Sequence, residues 1–210
     1  MSVLSDIAEL VQKGKAQEVA DLVSQALDEG VDAKQILDEG LLKGMGELGV
    51  RFKNNEVFVP EVLIAARALN KGTETLKARL VDLDVKPVGK VVLATVAGDL
   101  HDIGKNLVKL MLEGAGFEVV DLGTDVAADR IVAAVNEYSP DVVALSALLT
   151  TTMAAQGDAI KALEAAGVRD KVKVIVGGAP ITEAFAKEIG ADGYSEDASG
   201  AAETAKSLIC

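Results

Sequence analysis

A single histidine lies between two aspartates in the segment Gly-Asp-Leu-His-Asp-Ile-Gly-Lys-Asn, residues 98–106. His101 is the only histidine among the 210 residues of the chain. A lone imidazole acts as a general base, ligates a metal ion, or is a polar group satisfied by its neighbours. Asp99 and Asp102 are the carboxylates able to satisfy it.

A phosphate-binding loop is the first alternative for this segment. Its glycines, Gly98 and Gly104, are six apart, and Lys105 follows the second one. Asn106 stands where such loops need a metal-coordinating hydroxyl, and two aspartates inside the loop would repel phosphate. The sequence therefore disfavours nucleotide binding.

A hydrolytic triad of Ser146, His101 and Asp99 is the second alternative, because serine and histidine both follow predicted strands. Ser146 lies in Ala-Leu-Ser-Ala-Leu-Leu, without the Gly-x-Ser-x-Gly turn that exposes such a nucleophile. The three residue types of a triad are present, but the sequence does not indicate that the serine is exposed as a nucleophile.

A metal site is the third alternative. A zinc site needs three or four nitrogen or sulfur ligands, and the chain offers His101 and one distant cysteine, Cys210. Carboxylates alone can hold magnesium, but then no imidazole is needed. A metal bound by His101 would therefore bring most ligands in its own macrocycle, with Asp99 holding the other ring nitrogen and Gly104 permitting close approach. A loop histidine without any ligand stays equally open at this point.

Charge and composition limit the partners. The net charge of −12 disfavours nucleic acid and anionic membranes, which require clustered lysine and arginine. A lone cysteine fits a reducing compartment, and neither a signal peptide nor a membrane-spanning run is recognisable. We expect a cytoplasmic protein with no nucleic-acid or membrane partner.

The first eighty residues carry a helical period and predict a bundle of four amphipathic helices. Gly30 ends the second helix, Asp32 caps the third and Pro60 opens the fourth. The predicted apolar faces are Leu4, Ile7, Ala8 and Val11; Val19, Leu22, Val23, Ala26 and Leu27; Ile36, Leu37, Leu41, Met45 and Leu48; and Leu63, Ala66, Leu69, Thr73, Leu76 and Leu80.

Three apolar residues lie in the predicted polar turn between the third and fourth helices, namely Phe52, Phe58 and Val59. They either close one end of the bundle or face a ligand or partner. The pattern alone leaves both interpretations open.

Residues 82–87 are typical of a linker, and from Lys90 onward five predicted strands alternate with five helices. This alternation predicts a doubly wound, flavodoxin-like or Rossmann-like parallel sheet. We therefore expect a helical domain over residues 1–84 and an α/β domain over residues 85–210. Ligands of such sheets bind beyond the carboxyl ends of the strands, where the predicted segments are 98–104, 122–125, 146–152, 177–180 and 194–197.

The chain resembles the cobalamin-binding proteins. Asp-Leu-His-Asp-Ile-Gly resembles their Asp-x-His-x-x-Gly signature, and the companions Ser146-Ala147-Leu148 and Gly177-Gly178 follow in order. Residues 45–63, Met-Gly-Glu-Leu through Pro-Glu-Val-Leu, are similar to the helical cap of methionine synthase and of corrinoid proteins in three-component methyltransferase systems. The resemblance covers roughly residues 5–208.

The resemblance implies that cobalamin binds base-off/His-on, with His101 as the lower cobalt ligand, Asp99 hydrogen-bonded to it and Thr152 extending the relay. It also implies that the cap residues Phe52 and Val59 cover the upper face, with Glu39 nearby. The remaining implied cofactor-binding residues are Gly98, Asp102, Ile103, Gly104, Ser146, Leu148, Thr150, Gly177, Gly178 and Ala179.

The implied function is that of a methyl carrier, not an enzyme by itself. It would shuttle a methyl group on cobalt between a donor-specific methyltransferase and an acceptor methyltransferase that uses tetrahydrofolate or a thiol. A reductive activase would be a third partner, and the linker at residues 82–87 would let the cap move. The alternatives are a cobalamin-dependent sensor or regulatory module, an isolated module of a mutase, and a cofactor-free interaction domain.

Overall fold

A computed structural model describes residues 2–82 and 86–209 of the chain. The chain forms two compact units, Met1–Lys86 with Gly114–Gly116, and Pro87–Glu113 with Phe117–Cys210. The predicted domain boundary after residue 84, residues 83–85 of the predicted linker and Cys210 lie outside the described residues. The boundary therefore stays a prediction.

Four helices build the first unit, which confirms the predicted bundle. They are α1 (Val3–Gln12), α2 (Ala16–Asp28), α3 (residues 33–53) and α4 (Val59–Asp82). Asp32 caps α3, because its carboxylate accepts a hydrogen bond from the Gln35 amide at 3.1 Å. The middle of α3, Ile36–Leu42, is π-helical.

The predicted apolar faces of α1, α2 and α3 lie in or against the core, but the prediction for α4 was wrong at its first position. Leu63 is 50% exposed, whereas Val62 and Ala65 are fully buried. One residue rotates a helix by about 100°, so Leu63 falls just outside the stripe that continues through Leu69 and Leu76. The side chain of Leu80 lies outside the described residues.

The predicted turn between the third and fourth helices is shorter than expected. Phe52 belongs to α3, because this helix continues to Lys53. The Phe52 side chain is partly buried. The buried residue of the turn is Val57, whereas Phe58 is 65% exposed. Val57 therefore closes this end of the bundle, and Phe58 does not.

The second unit is a five-stranded, all-parallel sheet in the order β2-β1-β3-β4-β5, which confirms the predicted doubly wound fold. Its strands are β1 (Lys90–Thr95), β2 (Glu118–Asp121), β3 (Val142–Ser146), β4 (Lys173–Gly177) and β5 (Gly193–Ser195). Its helices are α5 (Ile103–Gly114), α6 (Ala128–Tyr138), α7 (Ala154–Ala165), α8 (Glu183–Glu188) and α9 (Ala198–Ile209).

The strand order reverses between β1 and β3, because the chain first moves from β1 to β2 and then returns past β1. Val91 through Val96 are all buried, as expected for a strand covered on both faces. The loops that leave β1 and β3 therefore meet at the switch point, where ligands of this fold bind. Across the described part of the chain, the structure contains no helix with the length and apolar character needed to span a membrane.

Candidate functional site

The switch point holds a hydrogen-bonded pair of Asp99 and His101. Nδ1 of the imidazole lies 2.9 Å from Oδ1 of Asp99. The His101 side chain is 51% exposed, and Nε2 has no hydrogen-bond partner within the described residues. An ionised carboxylate accepts only, so Nδ1 carries the proton and Nε2 presents its lone pair.

Asp99 itself is fully buried and accepts hydrogen bonds from two loops. Its Oδ2 accepts from the Leu148 amide at 2.7 Å and from the Thr152 hydroxyl at 2.7 Å. Its Oδ1 also accepts from the His101 amide at 3.1 Å. The carboxylate thereby joins the loop after β1 to the loop after β3.

These donors decide the protonation state of Asp99. Burial alone would raise the pKa of this carboxyl, but the hydrogen bonds from Leu148, Thr152 and His101 outweigh it and hold the pKa far below its usual range. Asp99 therefore stays ionised and keeps orienting the imidazole throughout the physiological pH range.

Thr95 and Asp125 also fix the loop that carries Asp99 and His101, and neither residue was predicted from the sequence. The Thr95 hydroxyl donates to the His101 carbonyl oxygen at 2.9 Å. Asp125 accepts from the Gly98 amide at 2.7 Å, and its own amide donates to the Asp99 carbonyl oxygen at 2.9 Å. A hydroxyl inside a buried strand was the available signal for Thr95, whereas Asp125 gave none.

Lys105 follows the motif and was considered only in the disfavoured phosphate-loop alternative, but it forms a buried ion pair. Its ammonium group lies 2.7 Å from both carboxylate oxygens of Asp121, and the Lys105 side chain is 3% exposed. Lys105 also donates to Asn106, whose amide donates to Asp102. The start of α5 is thereby tied to the end of β2.

Asp121→Asn is expected to destabilise the protein by about 3 kcal/mol at neutral pH, because it leaves the Lys105 ammonium buried without its counterion. Burial raises the pKa of Asp121, but the bond from Lys105 outweighs it and lowers the pKa below the ordinary 3.8. The stabilisation is therefore complete above about pH 4 and is lost as the pH falls through the lowered pKa. Urea unfolding across this range should show the difference between variant and wild type shrinking in acid.

The control for this variant is Glu183→Gln, which breaks the Glu183–Lys187 pair, whose side chains are 68% and 74% exposed. It should leave stability unchanged, because exposed pairs contribute little. An Asp121→Asn effect no larger than this, or one independent of pH, would contradict the assignment.

Exposed apolar side chains and a glycine lie in the same loops as the Asp99–His101 pair. Leu100 and Ile103 are each 74% exposed, and Leu148 is 40% exposed. A Cβ at Gly104 would meet no atom within 4 Å. Large exposed apolar side chains around one imidazole are typical of a ligand-binding surface.

Gly177 ends β4 and Gly178 follows it, and both are required by the protein's own backbone. A Cβ on Gly177 would lie 2.9 Å from the Ser195 carbonyl oxygen, and one on Gly178 would lie 1.8 Å from that of Ala147. The predicted passage of a ligand along these glycines stays a prediction. The other predicted residues of these loops are partly buried (Ser146) or exposed (Gly98, Asp102, Thr150 and Ala179).

The alternative sites lack support in the structure. Ser146 and His101 share no hydrogen bond within the described residues, so the pair is not poised for acyl transfer. Across residues 2–82 and 86–209, no group of three histidine, cysteine, aspartate or glutamate side chains is placed to hold a metal ion. Phe52, Val59 and Glu39 belong to the helical unit, and their contact with a cofactor stays a prediction.

Comparison with known families shows to which family the chain belongs. The family model of the B12 binding domain matches residues 89–203, and a second B12 binding domain model matches residues 3–77. The chain belongs to the B12-binding family.

Relatives of this B12-binding protein match it over nearly its whole length. Dimethylamine corrinoid protein 3 of Methanosarcina acetivorans is 42% identical over 99% of the chain and 97% of its own length. A cobalamin-binding protein of Desulfitobacterium hafniense has a TM-score of 0.82 at 33% identity, covering 99% and 98% of the two chains. A chain of the methanol:cobalamin methyltransferase complex of Methanosarcina barkeri has a TM-score of 0.88 at 32% identity, with 99% of this chain and 79% of that chain covered.

Proposed function

We propose that this chain is the methyl-carrier subunit of a corrinoid-dependent methyltransferase system and binds cobalamin base-off, with His101 as the axial ligand. The observation that carries the proposal is the Asp99–His101 pair, in which Nδ1 is held at 2.9 Å while Nε2 has no hydrogen-bond partner within the described residues. Bound cobalamin would supply a cobalt centre that accepts a methyl group from one enzyme and gives it to another.

The residues of the site fit this cofactor. A metal that arrives inside a macrocycle needs one axial nitrogen, and the chain offers one histidine with an exposed ring. The exposed side chains of Leu100 and Ile103 offer an apolar surface to a flat ring, and Gly104 leaves room for close approach. These features belong to this protein whether or not the cofactor is bound.

Thr152, Asp99 and His101 form a relay that sets the basicity of the ligand. Thr152 donates to Asp99 at 2.7 Å, and Asp99 accepts from the imidazole, so the proton on Nδ1 is shared with a buried anion. A partner carboxylate strengthens a metal-bound imidazole and fixes its tautomer.

The relatives support a carrier rather than a complete enzyme. One is named a dimethylamine corrinoid protein, and another belongs to a methanol:cobalamin methyltransferase complex. We infer that separate donor-specific and acceptor methyltransferases, together with a reductive activase, are the partners of this chain. The sensor alternative is not favoured, because the named relatives are corrinoid proteins of methyltransferase systems.

The test reconstitutes the full chain with cobalamin and records its electron paramagnetic resonance spectrum in the cobalt(II) state. Because His101 is the only histidine, protein grown with ¹⁵N-histidine should show the altered nitrogen splitting of an axial ligand. His101→Ala should lose this splitting but keep bound corrinoid, and added imidazole should restore nitrogen coordination.

The outcomes separate the parts of the proposal. A wild-type chain that binds no cobalamin would overturn it entirely, and an unchanged splitting after labelling would overturn the axial role of His101. Transfer of a labelled methyl group onto the bound cofactor by a donor methyltransferase, and from it to an acceptor, distinguishes the carrier from a sensor. A sensor would bind the cofactor but fail this turnover.

A further inference from the structure

A buried glutamine lies beneath two of the loops of the site. Gln156 is in the first turn of α7, and its side chain is fully buried. Its amide nitrogen donates to the Leu145 carbonyl oxygen at 3.0 Å and to the Gly177 carbonyl oxygen at 3.1 Å. Leu145 belongs to β3 and Gly177 to β4, so one amide bridges the carboxyl ends of two adjacent strands.

The two bridged strands lead directly into the Ser146-Ala147-Leu148 and Gly177-Gly178 loops. The Ala147 amide donates to the Gly177 carbonyl oxygen at 3.2 Å, so this oxygen receives both the ladder bond and the Gln156 amide. The Cβ position of Gly178 lies 1.8 Å from the Ala147 carbonyl oxygen, so the loops are in close backbone contact. A small displacement of either strand end would therefore change the spacing of both loops.

The buried amide of Gln156 that bridges the two strand ends also lowers the stability of the protein. Its Oε1 is the buried side-chain oxygen that lacks a hydrogen-bond partner within the described part of the chain. Buried polar atoms are nearly always paired, and an apolar residue of this shape would avoid the penalty. A half-satisfied amide at the seam of two functional loops therefore indicates a positional requirement rather than a packing one.

We propose that Gln156 is a positioning residue that fixes the spacing of the Ser146–Leu148 and Gly177–Gly178 loops and thereby makes the domain prefer corrinoids that carry a nucleotide tail. The inference rests on the proposed function and adds to it that the nucleotide tail of a base-off cobalamin would lie along these two loops. Gln156 acts through the two carbonyl groups and through no direct contact with the reacting centre.

The test compares two ligands that share the corrin ring, cobalamin and the tail-less cobinamide. Gln156→Met keeps the length of the side chain but cannot donate. We expect its Kd for cobalamin to rise about tenfold, the equivalent of one typical hydrogen bond. Its Kd for cobinamide should stay at the wild-type value. The ¹⁵N-histidine splitting should persist, because the Asp99–His101 pair is untouched.

The control is Ile160→Val, which shortens a buried apolar side chain one turn further along the same helix and removes no hydrogen bond. It should lower thermal stability slightly while leaving the ratio of the two Kd values as in the wild type. Gln156→Leu replaces the methionine variant if the latter does not fold.

The results distinguish this inference from the proposed function. A wild-type chain that binds neither corrinoid overturns the proposed function and this inference with it. A wild-type preference for cobalamin that Gln156→Met retains, or an equal weakening of both ligands, overturns the inference alone. Loss of the preference with cobinamide binding intact supports it.

Discussion

Asp99→Asn is expected to abolish axial coordination by His101 and to destabilise the α/β domain by about 3 kcal/mol, although it changes one atom. The native carboxylate is fully buried and accepts bonds from the Leu148 amide, the Thr152 hydroxyl and the imidazole. An asparagine has one acceptor oxygen, so its amide group must face one set of these donors.

The backbone decides which way the asparagine turns. Each carboxylate oxygen accepts from a backbone amide, but the Leu148 amide donates to Oδ2 at 2.7 Å together with the Thr152 hydroxyl, whereas the His101 amide donates to Oδ1 at 3.1 Å, so the asparagine oxygen should stay on the Leu148 side. The asparagine NH₂ group then faces Nδ1 of His101 and requires this nitrogen to accept. The ring proton moves to Nε2, which is the atom needed for the metal, and the neutral imidazole is held in the wrong tautomer.

Two measurements test this expectation. The ¹⁵N-histidine splitting of the cobalt(II) form should disappear in Asp99→Asn while the protein still binds corrinoid. Chemical unfolding of the cofactor-free chain should show the loss of stability. Asp102→Asn is the matched control, since it makes the same change at an exposed residue of the same loop. A variant that keeps the splitting would show that Asp99 does not set the tautomer.

The sequence is informative where function depends on neighbours along the chain. Asp99 and His101 are two residues apart, so an extended turn brings them together, and the structure places their atoms at 2.9 Å. The doubly wound parallel sheet follows from the alternation of strand and helix periods, because right-handed crossovers leave few other arrangements. Both predictions depend on local or topological rules.

Contacts between residues distant in the chain could not be predicted from the sequence. Asp125 supports the loop of His101, and Gln156 bridges Leu145 and Gly177, across strand ends that only the folded sheet brings together. Nothing in the spacing of these residues predicts such partners. The error at Leu63 has a different origin, because a stripe with many alanines leaves the phase of a helix uncertain by one residue.

Gly178→Ala is expected to destabilise the α/β domain by at least about 4 kcal/mol, whether or not a cofactor is present. Gly178 has a φ of +128°, which side chains rarely adopt, and the added Cβ would lie 1.8 Å from the Ala147 carbonyl oxygen. The atoms nearest to the added Cβ all belong to the backbone of Ala147, which cannot rotate away as a side chain could. The loops after β3 and β4 must therefore separate. Thermal unfolding of the cofactor-free chain measures this loss.

Gly104→Ala is the matched variant, and it should behave in the opposite way. Gly104 lies in the first turn of α5, and its Cβ would meet no atom within 4 Å, so alanine should hold or slightly raise the stability of the cofactor-free chain. The same methyl group would occupy space beside His101, and we expect cobalamin affinity to fall about tenfold or more. Unchanged affinity would show that the cofactor does not approach Gly104. The two variants thus separate a glycine that the fold requires from one that we expect only the ligand to require.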